Sequence, residues 1–287
     1  MPHIPHAQLS TTQISVINES TVLTDADITP IVAALQKQVT NDFRPVWGVD
    51  AELKMVAKTS QPPTGNWWLV ILDDSDQAGA LGYHDLTSEG MPLGKVFAAS
   101  DLKANTSWTV TASHELLEML ADPNINLTVF VQNANTTGTL YAYEVCDACE
   151  DDSVGYQIDN ILVSDFVYPT WFEDFRTTGS TQFDRTNQIQ NPFQLLNNGY
   201  IGVFNVTAGT GWQQMTAQQL AGLQHTGQTA QTTLTDTHNR GSVGTRRERR
   251  NTPRNQWVQS LAHRKISTNA QQYRQRLQTI TRKAAAA

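Results

Sequence analysis

Apolar and polar positions fall into blocks whose periods predict the elements. Residues 13–19 (QISVINE) form a short β-branched run and predict a first strand. Asp25 and Asp27 stand where helix N-caps belong, and Ile28 and Pro30 open the next run. Ile31, Leu35, Val39 and Phe43 follow at helical spacing. That helix is expected to stop near Arg44-Pro45, because the residue before a proline disfavours the α region, and Gly48 then breaks the chain. Residues 51–58 alternate and predict a strand. Residues 66–72 (NWWLVIL) are continuously apolar and predict a buried central strand. Asp73, Asp74 and Asp76 end it in an acidic loop, and residues 92–99 predict a further short strand.

Residues 107–123 predict a helix. Ser107 is placed to cap it, Val110, Leu117 and Leu120 line one face, and Asp122-Pro123 is a firm stop. Residues 127–132 and 139–145 read as a hairpin around 133–138, residues 161–172 as another apolar stretch, and residues 194–207 as a further short β segment. From 211 to 239 the chain is rich in Gln, Thr and Gly, the composition of a linker. Beyond Pro253, Trp257, Leu261, Leu277 and Ile280 fit a loose helical stripe. The expected organisation is a domain over 1–210 with parts at about 13–123 and 124–210, a linker over 211–239 and a tail over 240–287.

Composition sharpens this picture. Of the 287 residues 39% are hydrophobic and 16% charged, a charged share below the usual quarter, which excludes a coiled coil. Two cysteines cannot make a disulfide framework. No run reaches the ~18 apolar residues that cross a bilayer. The first residues lack the basic and apolar regions of a signal peptide, so a cytoplasmic or virion-associated protein is expected, without a membrane partner. The net charge of −7 hides a split. Residues 240–287 hold 12 Lys/Arg and one acid, and residues 1–239 hold 8 and 26, so a +11 tail follows a −18 body.

The chemistry centres on His114-Glu115-Leu116-Leu117-Glu118. Residues four apart share a helix face, so His114 and Glu118 can grip one metal ion. Glu115, on the neighbouring flank, can take a proton from metal-bound water. The bland alternative is an amphipathic helix with solvated His and Glu. Residues 143–152 (YEVCDACEDD) supply the third-ligand candidates, Glu144 first and Asp147 second, the alternative being an acidic surface or Ca²⁺ loop.

This motif, with its order of strand, helix, strands and motif helix, resembles the zincin-like metallopeptidases. Residues 13–123 correspond to that family's N-terminal subdomain. The chain is also similar to little-characterised bacterial and phage proteins with a Ser-His-Glu-x-x-Glu helix followed by Tyr-Glu-x-x-Asp, over roughly residues 10–205. The resemblance implies an α+β fold: a zincin-like mixed sheet with a long helix and an active-site helix, then a β-rich C-terminal part and a basic tail. It implies a peptidase acting on a peptide or protein substrate held by the 92–99 strand, with Zn²⁺ on His114, Glu118 and Glu144 or Asp147. It also implies Glu115 as general base and Tyr168 as an oxyanion donor, against a plain core role for Tyr168. The family's usual second His is Glu118 here. The extra negative charge makes bound water less acidic and admits harder ions, Mn²⁺ or Ca²⁺. It also admits a catalytically inactive binding or structural protein, for example a phage particle component.

The remaining features read as follows. Cys146 and Cys149 have C-x-x-C spacing without a second pair, and packing or a local bridge is favoured over a metal role. Asp122 is expected to serve the helix end rather than to orient His114. His84 is expected at the surface, with the cleft border as its alternative. The tail, with Arg ten to two over Lys, suits phosphate or carboxylate contacts and points to nucleic acid or an acidic protein, or to a solvated terminus.

Overall fold

The computed structural model describes residues 11–220, apart from 59, 78, 135, 136 and 210. It is a mixed α+β protein. The remainder of the expected linker, the stripe through Trp257 and Ile280, and the whole 240–287 tail lie outside the described residues.

The first layer is a five-stranded sheet. Strands β1 (Thr12–Asn18), β2 (Ala51–Val56), β3 (Trp67–Leu72), β4 (Gly82–Leu86) and β5 (Pro92–Phe97) lie in the order β2-β1-β3-β5-β4. All neighbours are parallel except β4, which runs antiparallel to β5 at the sheet edge. The continuous apolar run of β3 fits its central place: Leu69, Val70 and Ile71 are buried on alternate faces. The 92–99 segment is therefore an inner strand, and the edge belongs to β4. Residues 82–86 (GYHDL) carry too little apolar alternation to announce a strand. Residues 98 and 99 already belong to a short helix, α3 (Ala98–Ala104).

Helix α1 (Asp25–Lys37) packs over β1 and β2. Its N-cap is Thr24. Asp27 accepts the Thr24 N–H at 2.7 Å and Thr24 Oγ1 accepts the Asp27 N–H at 3.3 Å, a reciprocal capping box. The helix does not stop before Pro45. It widens into a π turn (Gln38–Phe43) that runs straight into α2 (Arg44–Trp47). The Arg44 N–H reaches back to Val39 O, and the wider turn gives the proline ring room it lacks in an α-helix. Gly48, at φ 70°, ends the segment in the left-handed conformation that glycine tolerates.

Helix α4 (Trp108–Ala121) crosses the same face, over β3, β4 and β5. It is buried all round, from Val110 to Leu120, rather than along one stripe. Ser107 holds the N-cap position, but its hydroxyl meets Thr109 Oγ1 at 2.8 Å instead of capping. The stop at Asp122 holds: its carboxylate accepts the N–H groups of Asn126 and Leu127, both at 3.0 Å. No helix among the described residues is long and apolar enough to cross a membrane.

The second layer is a four-stranded antiparallel sheet, β11-β10-β7-β6. It contains the hairpin β6 (Thr128–Ala134) and β7 (Thr137–Ala142), then β10 (Tyr200–Asn205) and β11 (Trp212–Thr216). A small hairpin pairs β8 (Tyr156–Ile158) with β9 (Ile161–Val163). Residues 212–216 belong to a sheet, not to a linker: Gln214 and Met215 are buried as β11 pairs along β10. The acidic loop 73–76 is absorbed structurally. Asp73 accepts from Ser20 Oγ and the Thr21 N–H, Asp74 pairs with Lys103 at 2.8 Å, and Asp76 pairs with Lys95 at 2.9 Å.

Candidate metal centre

Three segments converge on one buried polar site. Helix α4 brings His114, Glu115 and Glu118, the edge strand β4 brings His84, and the segment after β7 brings Glu144, Cys146, Asp147 and Glu150. All these side chains are buried, from Cys146 at 0% exposure to the two histidines and Glu144 at 7%. A small cleft opens onto His114, Glu115 and Glu150, lined also by Leu81, Gly82, Val110, Thr111 and Tyr200.

Glycines and a polar chain set the approach of these segments. A Cβ at Gly82 would stand 2.7 Å from both Glu115 Oε1 and Thr111 Cγ2, and one at Gly94 would stand 2.9 Å from Leu69 Cδ1. The absent side chains let α4 sit down on β4 and β5. A Cβ at Gly199 would meet Ala148 O at 2.3 Å, so glycine there lets the start of β10 press against the 3₁₀ turn Asp147–Cys149 and delivers Tyr200 to Asp147. Beside the site, buried Gln38 accepts from Ser113 Oγ at 2.7 Å and donates to Ser164 O at 2.9 Å, while Ser113 Oγ accepts the Ser164 N–H at 3.0 Å. This chain fixes the rotation of α4 next to His114.

The distances suit ligands around a cation. His114 Nε2 lies 3.3 Å from Glu118 Oε2 and 3.3 Å from Asp147 Oδ1. For metal–ligand bonds of about 2.0–2.2 Å, ligand atoms at tetrahedral angles stand about 3.3–3.6 Å apart. Glu118 Oε1 accepts the Cys146 N–H at 3.1 Å, which turns Oε2 toward His114. Three overlapping sets have ligand atoms within 4.8 Å of one another: His114, Glu118 and Cys146; His114, Asp147 and Glu150; and His84, Glu115 and Glu118.

Electrostatics follow from burying so many acids together. Burial works against a charged His114, but Glu118 and Asp147 outweigh it and hold its pKa well above the usual histidine value. Burial pushes Glu115 well above the carboxylate range, with Glu118, Asp147 and Glu150 adding to the push. Burial also raises Asp147, to about 6, with Glu118 reinforcing it. Against its burial, Glu118 is held below the ordinary value by His114 and His84.

The structure thus brings His114, Glu115, Glu118, Glu144 and Asp147 together but separates the two third-ligand candidates. Asp147 faces His114. Glu144 Oε2 instead lies 3.6 Å from His84 Nε2. Tyr168 is not in the group. It packs on Phe166 near Arg185 and Asp42, held by a backbone bond to Phe183 O. The tyrosine at the cleft is Tyr200, beside Asp147; burial, then the Asp147 charge, push its pKa well up. His84 is not a surface residue, since β4 turns its ring down onto Glu115 and Glu118. Cys146 and Cys149 are buried free thiols. The cleft-border alternative for His84 is the one the structure shows, Glu150 stands in the 143–152 stretch beside the two third-ligand candidates, and Tyr200 went unseen because a long stretch of sequence separates it from the motif. The signals were the small residue two before His84, at Gly82, and Gly199 beside Tyr200. Compared with known proteins, the chain matches no family model, no curated protein and no solved structure.

Proposed function

We propose that the protein is a metal-dependent hydrolase, a zincin-like peptidase. The observation that carries this reading is that His114 Nε2 lies 3.3 Å from Glu118 Oε2 on one side and 3.3 Å from Asp147 Oδ1 on another, beside Glu115, which lines an open cleft. The sheet order, with α1 and α4 on one face, supports the zincin-like likeness. His114, Glu118 and Asp147 would hold the ion. One imidazole among carboxylates suits Zn²⁺ and accepts Mn²⁺ or Ca²⁺. A bound cation supplies Lewis-acid polarisation of the scissile carbonyl and a water of lowered pKa. Glu115, which lines the cleft beside this group, would accept a proton from the bound water and return it to the leaving amine. Tyr200, at the cleft, takes the oxyanion-donor role first assigned to Tyr168. The edge strand β4, whose Gly82 lines the cleft, offers its outer backbone for an extended peptide, the role first assigned to residues 92–99.

The test is a peptide-library cleavage assay on metal-loaded full-length protein and on Glu115→Gln. The expected result is cleavage by the first, a loss of about 10²–10⁴-fold in the second, and metal still bound by the variant. Equal cleavage by both proteins would remove Glu115 from the mechanism.

A further inference from the structure

We propose that the buried site beside the cleft holds a second divalent cation, between His84 Nδ1, Glu115 Oε2 and Glu118 Oε2, so that the centre is a two-cation site bridged by Glu118. The inference rests on reading His114, Glu118 and Asp147 as the first cation site.

Glu118 Oε2 is the shared corner. It lies 3.3 Å from His114 Nε2 on one side and 3.6 Å from His84 Nδ1 on the other. Its partner oxygen is occupied by the Cys146 N–H, so a single oxygen faces both histidines. No set of mutually close ligand atoms among the described residues unites the two imidazoles, whereas each imidazole forms a set with Glu118. Two ions, one at each imidazole, would be joined through this carboxylate in the manner of paired sites about 3.5–4 Å apart.

Glu115 supplies the independent observation. It is 6% exposed, and its Oε2 accepts no hydrogen bond. That oxygen stands 3.6 Å from His84 Nδ1, too far for a hydrogen bond and at the separation of two ligands on one cation. His84 Nδ1 faces two carboxylate oxygens, Glu115 Oε2 and Glu118 Oε2, while its Nε2 faces Glu144 Oε2 at 3.6 Å, so Glu144 stands on the other side of the ring from this site. Glu115 Oε1, beside Gly82, keeps its access to the cleft for proton transfer.

Charge points the same way. Glu115, Glu118, Glu144, Asp147 and Glu150 are 3–7% exposed. A second divalent ion beside Glu115 and Glu118 adds positive charge where these acids are buried together, and buried charge without compensation is strongly disfavoured.

The experiment is metal stoichiometry on the full-length chain. Metal-free protein is titrated with Zn²⁺ by calorimetry, the product is assayed by elemental analysis, and His84→Gln and His114→Ala are run beside it. Two ions per wild-type chain and one per His84→Gln chain are expected. One ion per wild-type chain that His114→Ala removes would overturn the second cation and leave the proposed function standing. No bound ion in the wild type would overturn both. If His84→Gln fails to fold, Mn²⁺-loaded wild type decides by electron paramagnetic resonance: a spin-coupled pair supports the proposal, and an isolated ion at saturation overturns it.

Discussion

Glu118 is the residue on which the site turns. Its carboxylate has two oxygens, and the fold uses both: one takes the Cys146 N–H and the other faces His84 and His114. Helical spacing alone made the pairing of His114 with Glu118 legible, because a one-turn separation fixes the geometry locally. The tyrosine assignment shows the limit of such reasoning. Tyr168 and Tyr200 both follow the motif in sequence, and only the packing of β10 against the Asp147–Cys149 turn distinguishes them. Replacing Tyr200 with Phe is expected to lower kcat by about 10²-fold with little change in KM, as loss of a transition-state donor does. Tyr168→Phe is expected to leave both constants near wild type. Steady-state kinetics on the pair checks this, and an equal loss in both variants would remove the distinction.

At the scale of elements, glycines make the site possible. Strands β1, β3 and β5 and the long helices were legible because their apolar period is strong and local. The strand β4 was not, since its five residues include a glycine, a histidine and an aspartate whose places are fixed by β5 and α4 rather than by propensity. The run past Pro45 was likewise hidden, because a π turn is a response to the proline and not a pattern of its own. Two alanine substitutions separate a site glycine from a packing glycine. In Gly82→Ala the new methyl meets Glu115 Oε1 and Thr111 Cγ2, both at 2.7 Å and both on buried side chains, so activity is expected to fall at least about tenfold, with a stability loss below that of the Gly199 variant because no backbone atom is struck. In Gly199→Ala it meets the Ala148 carbonyl at 2.3 Å, so a stability loss of about 1–3 kcal/mol is expected. Denaturant melts beside turnover assays measure both. The reverse ranking of stability would contradict this account of the approach.

On the scale of the whole molecule, the acidic body resolves into separate uses. Asp73, Asp74 and Asp76 serve loop and lysine contacts, the Glu144–Glu150 group serves the site, and a third set is a buried carboxyl pair behind it. Asp165 and Asp184 are both 0% exposed and share a hydrogen bond, with Thr186 bonding each. Burial, then Asp184, raises Asp165 from 3.8 to about 8. The folded chain therefore holds a proton that the unfolded chain releases between these values. This contribution to stability is full below about pH 4, declines as pH rises, and levels off above about pH 8. Asp165→Asn, which keeps a donor toward Asp184, is expected to flatten that decline in melts taken across the range. An unchanged slope would contradict the shared proton. None of these three uses could be separated by counting charge along the chain, because they differ in what surrounds each carboxylate.

The most direct test of the central claim is the metal content of purified full-length protein, set against His114→Ala. The account predicts at least one tightly held divalent ion per wild-type chain and its loss from the variant with the fold retained. A wild-type chain that holds no divalent ion after loading, or a variant that holds as much as the wild type, would contradict it.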